Sequence, residues 1–145
     1  MTKKKIIAIL LAVTMLMAAL PVSVFAAEAE PEETRASDYL NAYSIYLTTG
    51  TIGHLKLVYS VQATGMMTSV GVFSITVRNN DGSIHQIIWG STSNGLLKAN
   101  SWYNIGSYTL NLTSGNTYYC TVKIIAKDAT GGDTRSVITS RVTCP

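Results

Sequence analysis

The chain has 145 residues, of which 13 % are charged, and a formal net charge of +3. Three of its 11 basic residues lie within the first five positions, so residues 27–145 carry eight basic and eight acidic residues and no net charge. From Thr34 onward, basic residues outnumber acidic residues by four. They are spread along the chain, unlike the clustered basic surface of a nucleic-acid-binding protein.

The first 26 residues have the three parts of a secretory signal peptide. Lys3, Lys4 and Lys5 form a basic start, residues 6–20 are an uncharged apolar run, and Val24-Phe25-Ala26 has the small residues of a cleavage site. The run of 15 residues is shorter than the roughly 20 that a membrane-spanning helix needs. We therefore predict cleavage after Ala26 and a secreted, extracellular protein without a membrane anchor in its mature form; an uncleaved anchor is the alternative.

The next segment, residues 27–37, is polar and contains all four glutamates of the chain. It lacks apolar residues large enough to pack on a core, so we predict a flexible acidic leader. From Asp38 the sequence is rich in Val, Ile, Thr and Tyr, with turn-forming residues at intervals. This pattern predicts a single β domain over residues 38–145.

Alternating polar and apolar residues predict seven strands in this domain. The second strand alternates most regularly, with core candidates Leu55, Leu57, Tyr59, Val61 and Ala63. The seven predicted strands are residues 38–48, 54–64, 70–79, 83–89, 107–112, 117–127 and 134–143. Their number and spacing favour an all-β, antiparallel sandwich over a closed barrel.

Two parts of this pattern lead to more specific expectations. In the third strand, the alternation predicts that Phe73, Ile75 and Val77 face the core. Between the fourth and fifth strands, residues 90–104 are predicted to form the longest loop.

Cys120 and Cys144 are the two cysteines, and a secreted protein is in a compartment that permits their oxidation. We predict an intramolecular disulfide that closes a loop of 23 intervening residues and contributes about 3 kcal/mol. A final hairpin centred near Gly131 would place Cys144 one same-face step from the residue opposite Cys120. Two reduced thiols, or a dimer through Cys144, are the alternatives.

The segment from Leu112 to Val122 resembles the sixth-strand region of fibronectin type III and immunoglobulin-like domains. Leu112, Gly115 and Tyr118 hold the places of the tyrosine corner of those domains. Where family members often have Pro and Thr, this chain has Ser114 and Asn116. The resemblance covers about 15 residues. It implies an all-β, antiparallel sandwich of about seven strands, of the immunoglobulin or fibronectin type III kind, and it implies no function.

A wider resemblance lies in residues 34–40, in residues 64–71 and in Tyr118-Tyr119 before a basic strand. These segments are similar to a family of small secreted proteins of Gram-positive bacteria that is known as a domain of unknown function. The resemblance implies secretion and one β domain, and no activity.

Catalytic and metal-binding patterns are weak. Three of the four aspartates in the domain (Asp38, Asp81, Asp128 and Asp133) flank or occupy predicted turns, where aspartate is common for backbone reasons. His54 and His85 are isolated in sequence, whereas a metal site needs three or four converging ligands. The Gly-containing segment 128–133 fits a hairpin turn better than a calcium loop. We expect no catalytic residues, no metal and no cofactor.

Aromatic residues give the one candidate binding surface. Exposed rings in and around the long loop would contact a ligand, whereas buried rings would close one end of the core, and we favour the core for both tryptophans. The two leucines are expected to fold the loop back onto the sheet. The residues concerned are Trp89, Leu96, Leu97, Trp102 and Tyr103.

These observations favour a non-enzymatic, monomeric, extracellular binding or interaction module, whose partner is an unknown protein or glycan and not nucleic acid. A secreted bacteriocin-like effector and a stand-alone carbohydrate-binding module are the alternatives. The functional part of this prediction depends on analogy at the level of the fold.

Overall fold

The computed structural model describes residues 37–145. The signal peptide predicted over residues 1–26 lies outside the described residues, as does the predicted leader except for Ser37. The described residues form nine strands and no helix. Every strand pair is antiparallel.

Seven strands are long and two are short. The long strands lie close to the predicted ones, and the sixth predicted strand, residues 117–127, has the same bounds as β7. In chain order the strands are β1 (Leu40–Thr49), β2 (His54–Met67), β3 (Ser69–Asn79), β4 (Ile84–Trp89), β5 (Leu97–Lys98), β6 (Ser101–Asn111), β7 (Thr117–Lys127), β8 (Gly132–Ile138) and β9 (Val142–Thr143).

The strands form two sheets. Sheet 1 has the order β1-β2-β6, and sheet 2 has the order β4-β3-β7-β8, with β5 beside β3 and β9 beside β7. Apolar side chains from both sheets meet in one buried cluster. The prediction of an all-β antiparallel sandwich is confirmed.

The core lies between β2 of sheet 1 and β3 and β7 of sheet 2. The predicted inward face of β2 is buried along its whole length, from Leu55 to Ala63. Each large aliphatic side chain that is fully buried contributes roughly 2 kcal/mol of transfer free energy. The fully buried aliphatic residues are Leu55, Leu57, Val61, Val70, Val72, Ile75, Val77, Leu96, Leu110, Val122 and Ile124.

The prediction that Phe73 faces the core is wrong. The register between β3 and β7 shifts between Val72 and Ser74, and such a bulge re-aims the side chains around it. Val70 and Val72 occupy the core before the shift, and Ile75 and Val77 occupy it after the shift. Phe73 is left 38 % exposed.

The predicted loop 90–104 contains more regular structure than expected, because β5 and the first four residues of β6 lie within it. Its middle part is held by hydrogen bonds to both sheets. Val72 N donates to Leu96 O at 2.7 Å, and Asn104 Nδ2 donates to Gly95 O and Leu96 O at 3.1 and 2.9 Å. The close approach of the Leu96 backbone to β3 requires a glycine at position 71, since a Cβ there would lie 2.2 Å from Leu96 O.

The seventh predicted strand, residues 134–143, is interrupted at Thr139. Cys120 N donates to Thr139 Oγ1 at 2.9 Å, so a side chain takes the hydrogen bond that a strand carbonyl would otherwise accept. Pairing with β7 resumes at Val142, which lies opposite Tyr118. β8 and β9 are therefore separate strands.

The predicted disulfide is not formed: Cys120 and Cys144 are both free and buried. The turn after β7 is tighter than predicted, because Asp128 N donates to Gly131 O, and Thr139 rather than residue 142 binds the backbone of Cys120. Cys144 N donates to Asn116 O. Asn116 lies four residues from Cys120, or about 13 Å along a strand, and a disulfide needs Cα atoms within about 7 Å.

Leu112, Gly115 and Tyr118 take the arrangement of a tyrosine corner. The Tyr118 ring is 1 % exposed, and its Oη accepts a hydrogen bond from Thr113 N at 3.3 Å. Gly115 has a φ of 86°, which suits glycine in the turn. Leu112 packs against the edge of the core. The connection from sheet 1 to sheet 2 is thereby tied to the start of β7.

The free thiols can be tested by their reactivity. Burial raises the pKa of the Cys120 thiol to about 12, so this thiol is not a reactive thiolate. Cys144 is 1 % exposed and is therefore shielded from the reagent. We expect no reaction with Ellman's reagent in the native protein, purified without reductant, and two thiols per chain after unfolding in guanidinium. Absence of thiols after unfolding would show that the disulfide exists.

The tyrosine corner can be tested with Tyr118→Phe. This variant keeps the buried ring and loses the acceptor for Thr113 N, so we expect a loss of about 1 kcal/mol in the free energy of unfolding, measured by urea denaturation. Tyr119→Phe is the matched control, because Tyr119 stacks under Arg141 through its ring, 4.6 Å from the guanidinium carbon. Equal losses in the two variants would contradict the assignment.

Candidate functional site

The two tryptophans are exposed, contrary to the expectation that they close the core. Trp89 is 63 % exposed at the end of β4, and Trp102 is 50 % exposed near the start of β6. Both strands lie at the edge of a sheet, where a large side chain finds neighbours on one side only. Neither tryptophan is therefore part of the core.

The structure does not bring the predicted binding surface together as one site. Trp89 packs edge-on against Phe73, with ring centroids 5.7 Å apart, on sheet 2. Trp102 packs edge-on against Tyr103, with centroids 4.7 Å apart, on sheet 1. Lys98 Nζ lies 4.2 Å from the centroid of the Tyr103 ring, at cation–π distance.

Leu96 and Leu97 take no part in an exposed surface of this kind. Leu96 is fully buried, and Leu97 is partly buried in β5 opposite Gly71. Their role is to hold the loop against β3, which fixes the position of the chain where β6 begins.

The carboxylates of the turns are engaged by their own loops. Asp81 Oδ1 accepts hydrogen bonds from Ser83 Oγ and N, and Asp128 Oδ1 accepts them from Thr130 Oγ1 and N. These bonds hold the pKa of both carboxyls below the usual range. A hydrogen bond from Ser37 Oγ likewise lowers the pKa of Asp133. In the part of the chain that the structure describes, no three histidine, cysteine or acidic side chains converge as metal ligands.

The outer face of sheet 1 is the largest surface with a consistent chemical character. Because side chains alternate along a strand, burial of Leu55, Leu57 and Val61 turns the intervening residues of β2 outward, and the strand register aligns them with residues of β1 and β6. This sheet-1 face consists of Ala42, Ser44, Tyr46 and Thr48 on β1, Lys56, Val58, Ser60 and Gln62 on β2, and Tyr103, Ile105, Ser107 and Thr109 on β6.

An apolar stripe crosses this face diagonally. Tyr46 lies opposite Val58, and Ile105 and Tyr103 follow on the neighbouring strand, nearer the other end of the face. Tyr46 and Ile105 are 52 % and 59 % exposed. The stripe is about 16 Å long, from the strand spacing and the rise per residue. Hydroxyl and amide side chains border it on both sides.

Charge distinguishes the two sheets. Lys56 is the one charged residue of the sheet-1 face, and it lies at the end of the face farthest from Tyr103. The outer face of sheet 2 carries Arg78, Lys123 and Lys127 on adjacent strands. The sheet-1 face therefore offers aromatic, aliphatic and hydroxyl groups to a ligand, with Lys56 at one end and the Lys98 ammonium over the Tyr103 ring at the other.

The alternation of β2 alone indicates which of its residues face outward. Tyr46 and Tyr103 are brought onto the same face by the pairing of β1 and β6 with β2. This register spans nearly 50 residues of sequence between β2 and β6, so no local pattern could indicate the stripe.

Comparison with known proteins gives no family assignment, because no family model and no curated protein matches the chain. The resemblance to a family of small secreted proteins therefore stays a prediction. None of the described residues forms a helix that is long and apolar enough to cross a membrane.

The placement of the aromatic residues can be tested by stability. Leu96→Ala removes a fully buried side chain and should cost about 3 kcal/mol of unfolding free energy. Trp102→Ala removes a half-exposed side chain and should cost less than about 1 kcal/mol. Urea denaturation measures both values, and acrylamide should quench the fluorescence of both tryptophans in the folded protein. A larger loss for Trp102→Ala than for Leu96→Ala would show that Trp102 belongs to the core.

Proposed function

We propose that this protein is a non-enzymatic, extracellular binding module whose ligand is a glycan chain that lies along the sheet-1 face. The observation that carries the proposal is the stripe of Tyr46, Val58, Ile105 and Tyr103 on a sheet whose opposite face is core. Tyr46 and Ile105 are exposed, and Val58 and Tyr103 are partly buried. Exposed apolar surface of this kind on a soluble domain marks an interaction site.

The stripe is preorganised for binding. Its strands are paired to one another and backed by buried residues of β2, so the stripe residues need little ordering when a ligand binds. Tyrosine adds large contact area at low cost, because its side chain has only two rotatable χ angles.

The size of the face favours a narrow ligand over a folded protein. Three strands and four rows of residues cover about 14 Å by 20 Å, or roughly 300 Å². A stable protein interface buries about 800 Å² on each partner. An extended chain of sugar rings, by contrast, needs only the width of the stripe.

The chemistry of the face also suits sugars. Aromatic rings offer apolar faces on which the C–H faces of sugar rings can stack, and Ser44, Ser60 and Gln62 offer hydroxyl and amide groups beside the stripe. Nucleic acid is disfavoured, because its phosphates require several basic residues, and only Lys56 on the face and Lys98 over the Tyr103 ring supply them here. The predicted secretion would place the module among extracellular glycans.

Retention on polysaccharides and a glycan array test this proposal with the purified secreted protein. We expect a saturable glycan ligand, and we expect Tyr46→Ala and Tyr103→Ala each to weaken its binding about tenfold, since a lost ring contact is worth about 1.4 kcal/mol. Trp89→Ala is the matched control, because Trp89 is an exposed aromatic residue that lies on sheet 2.

Two outcomes would contradict the proposal. One is the absence of any glycan ligand in both assays. The other is a loss of binding in Trp89→Ala as large as in Tyr46→Ala, with unchanged thermal stability of both variants. A saturable protein ligand that binds through the same stripe would also replace the glycan in the proposal.

A further inference from the structure

A recess lies on the outer side of sheet 1, at the end of the sheet-1 face where Lys56 lies. Its volume is about 350 Å³, and its lining residues are Gly50, Thr51, His54, Leu55, Lys56 and Thr109. Lys56 lies in the row next to Tyr46 and Val58, so the recess and the apolar stripe adjoin one another.

The turn between β1 and β2 forms one wall of the recess. Gly50 N donates to His54 O at 3.1 Å, and His54 N donates to Thr51 O at 2.9 Å. These two bonds fold the turn back over the first residue of β2. The backbone of His54 is therefore fully engaged on this side, while its side chain lines the recess.

The imidazole of His54 has a polar atom without a partner. Its Nδ1 is buried and is the one buried side-chain nitrogen or oxygen within residues 37–145 that has no hydrogen bond. Buried polar groups in native proteins are nearly always hydrogen-bonded, so such an atom calls for an explanation. Because this atom has no exposed surface, a ligand group in the recess would reach it once the imidazole turns toward the recess, and would then supply the missing partner.

The other lining groups indicate the chemistry of that partner. Lys56 brings a positive charge, Thr51 and Thr109 bring hydroxyl groups, and no carboxylate lines the recess. An imidazole that carries its proton on Nδ1 is a donor even when it is neutral. Ammonium, hydroxyl and N–H donors around one space suit an oxyanion.

We propose that the recess binds an oxyanion group of the ligand, a carboxylate or a sulfate, and that the glycan recognised by the sheet-1 face is therefore an acidic one. This inference rests on the proposed function for the nature of the ligand chain, since the stripe would hold the sugar rings next to the anion. Lys56 lies two residues from Val58, about 7 Å along the strand, which is close enough for one chain to occupy both.

A matched pair of ligands tests the inference. An oligogalacturonate carries carboxylates, and its methyl ester has the same rings without the charge. By isothermal titration calorimetry we expect the acid to bind the protein at least tenfold more tightly than the ester. We expect the ring protons of His54 to shift in NMR spectra with the acid and not with the ester.

Variants show whether the recess is responsible. Lys56→Gln and His54→Gln should each weaken binding of the acid about tenfold and leave binding of the ester unchanged. Lys123→Gln is the control for a general loss of positive charge, because Lys123 lies on the outer face of sheet 2. A sulfated oligosaccharide distinguishes sulfate from carboxylate, and sodium acetate and sodium sulfate show whether a free anion suffices to shift the His54 signals.

The failures of the two proposals are distinguishable. Equal binding of acid and ester, lost in Tyr46→Ala and unchanged in Lys56→Gln, would overturn the anion site and support the sheet-1 face. An equal effect of Lys123→Gln and Lys56→Gln on the acid would also overturn the anion site. No binding of either oligosaccharide, with His54 signals that respond to acetate or sulfate, would support the anion site and count against the glycan. No response to any of these ligands would overturn the anion site.

Discussion

The packing of β2 against β3 and β7 is the interaction on which the rest of the structure depends. Leu55, Leu57 and Val61 are fully buried between the sheets, and β2 contributes more buried apolar residues than either other strand of sheet 1. A slip of one residue in this strand would exchange its buried and exposed faces. The packing of the core therefore determines which side chains sheet 1 presents to solvent. It thereby determines which residues make up the sheet-1 face.

Tyr59 links the core to the loop that precedes β6. Its ring is 4 % exposed in the core, its Oη donates to Gly95 O at 2.9 Å, and burial raises the pKa of its hydroxyl. Together with Asn104, which binds the same carbonyl, it holds the loop where Lys98, Trp102 and Tyr103 follow. The aromatic end of the sheet-1 face is thus anchored on the core rather than carried by a free loop.

The recess and the stripe share one strand and complement each other. β2 contributes His54 and Lys56 to the first and Val58 to the second. A ligand that filled both would gain contact area from the stripe and charge recognition from the recess. Because the strand is rigidly paired on both sides, the distance between the two subsites is fixed, which favours ligands of one spacing over others.

The sequence by itself determined the fold class, most of the strands and the inward face of β2, because the pleat of a strand imposes a period of two that is visible in any sequence. The alternation predicts residues 117–127 with the bounds of β7, and the resemblance to fibronectin type III and immunoglobulin-like domains indicates the tyrosine-corner residues. Tertiary structure alone decided that Cys120 and Cys144 lie apart, that Phe73 turns outward at a bulge and that both tryptophans are exposed at sheet edges. It also decided that Tyr46, Val58 and Tyr103 share a face. These features depend on the register between strands distant in sequence, and register follows from how the whole core packs.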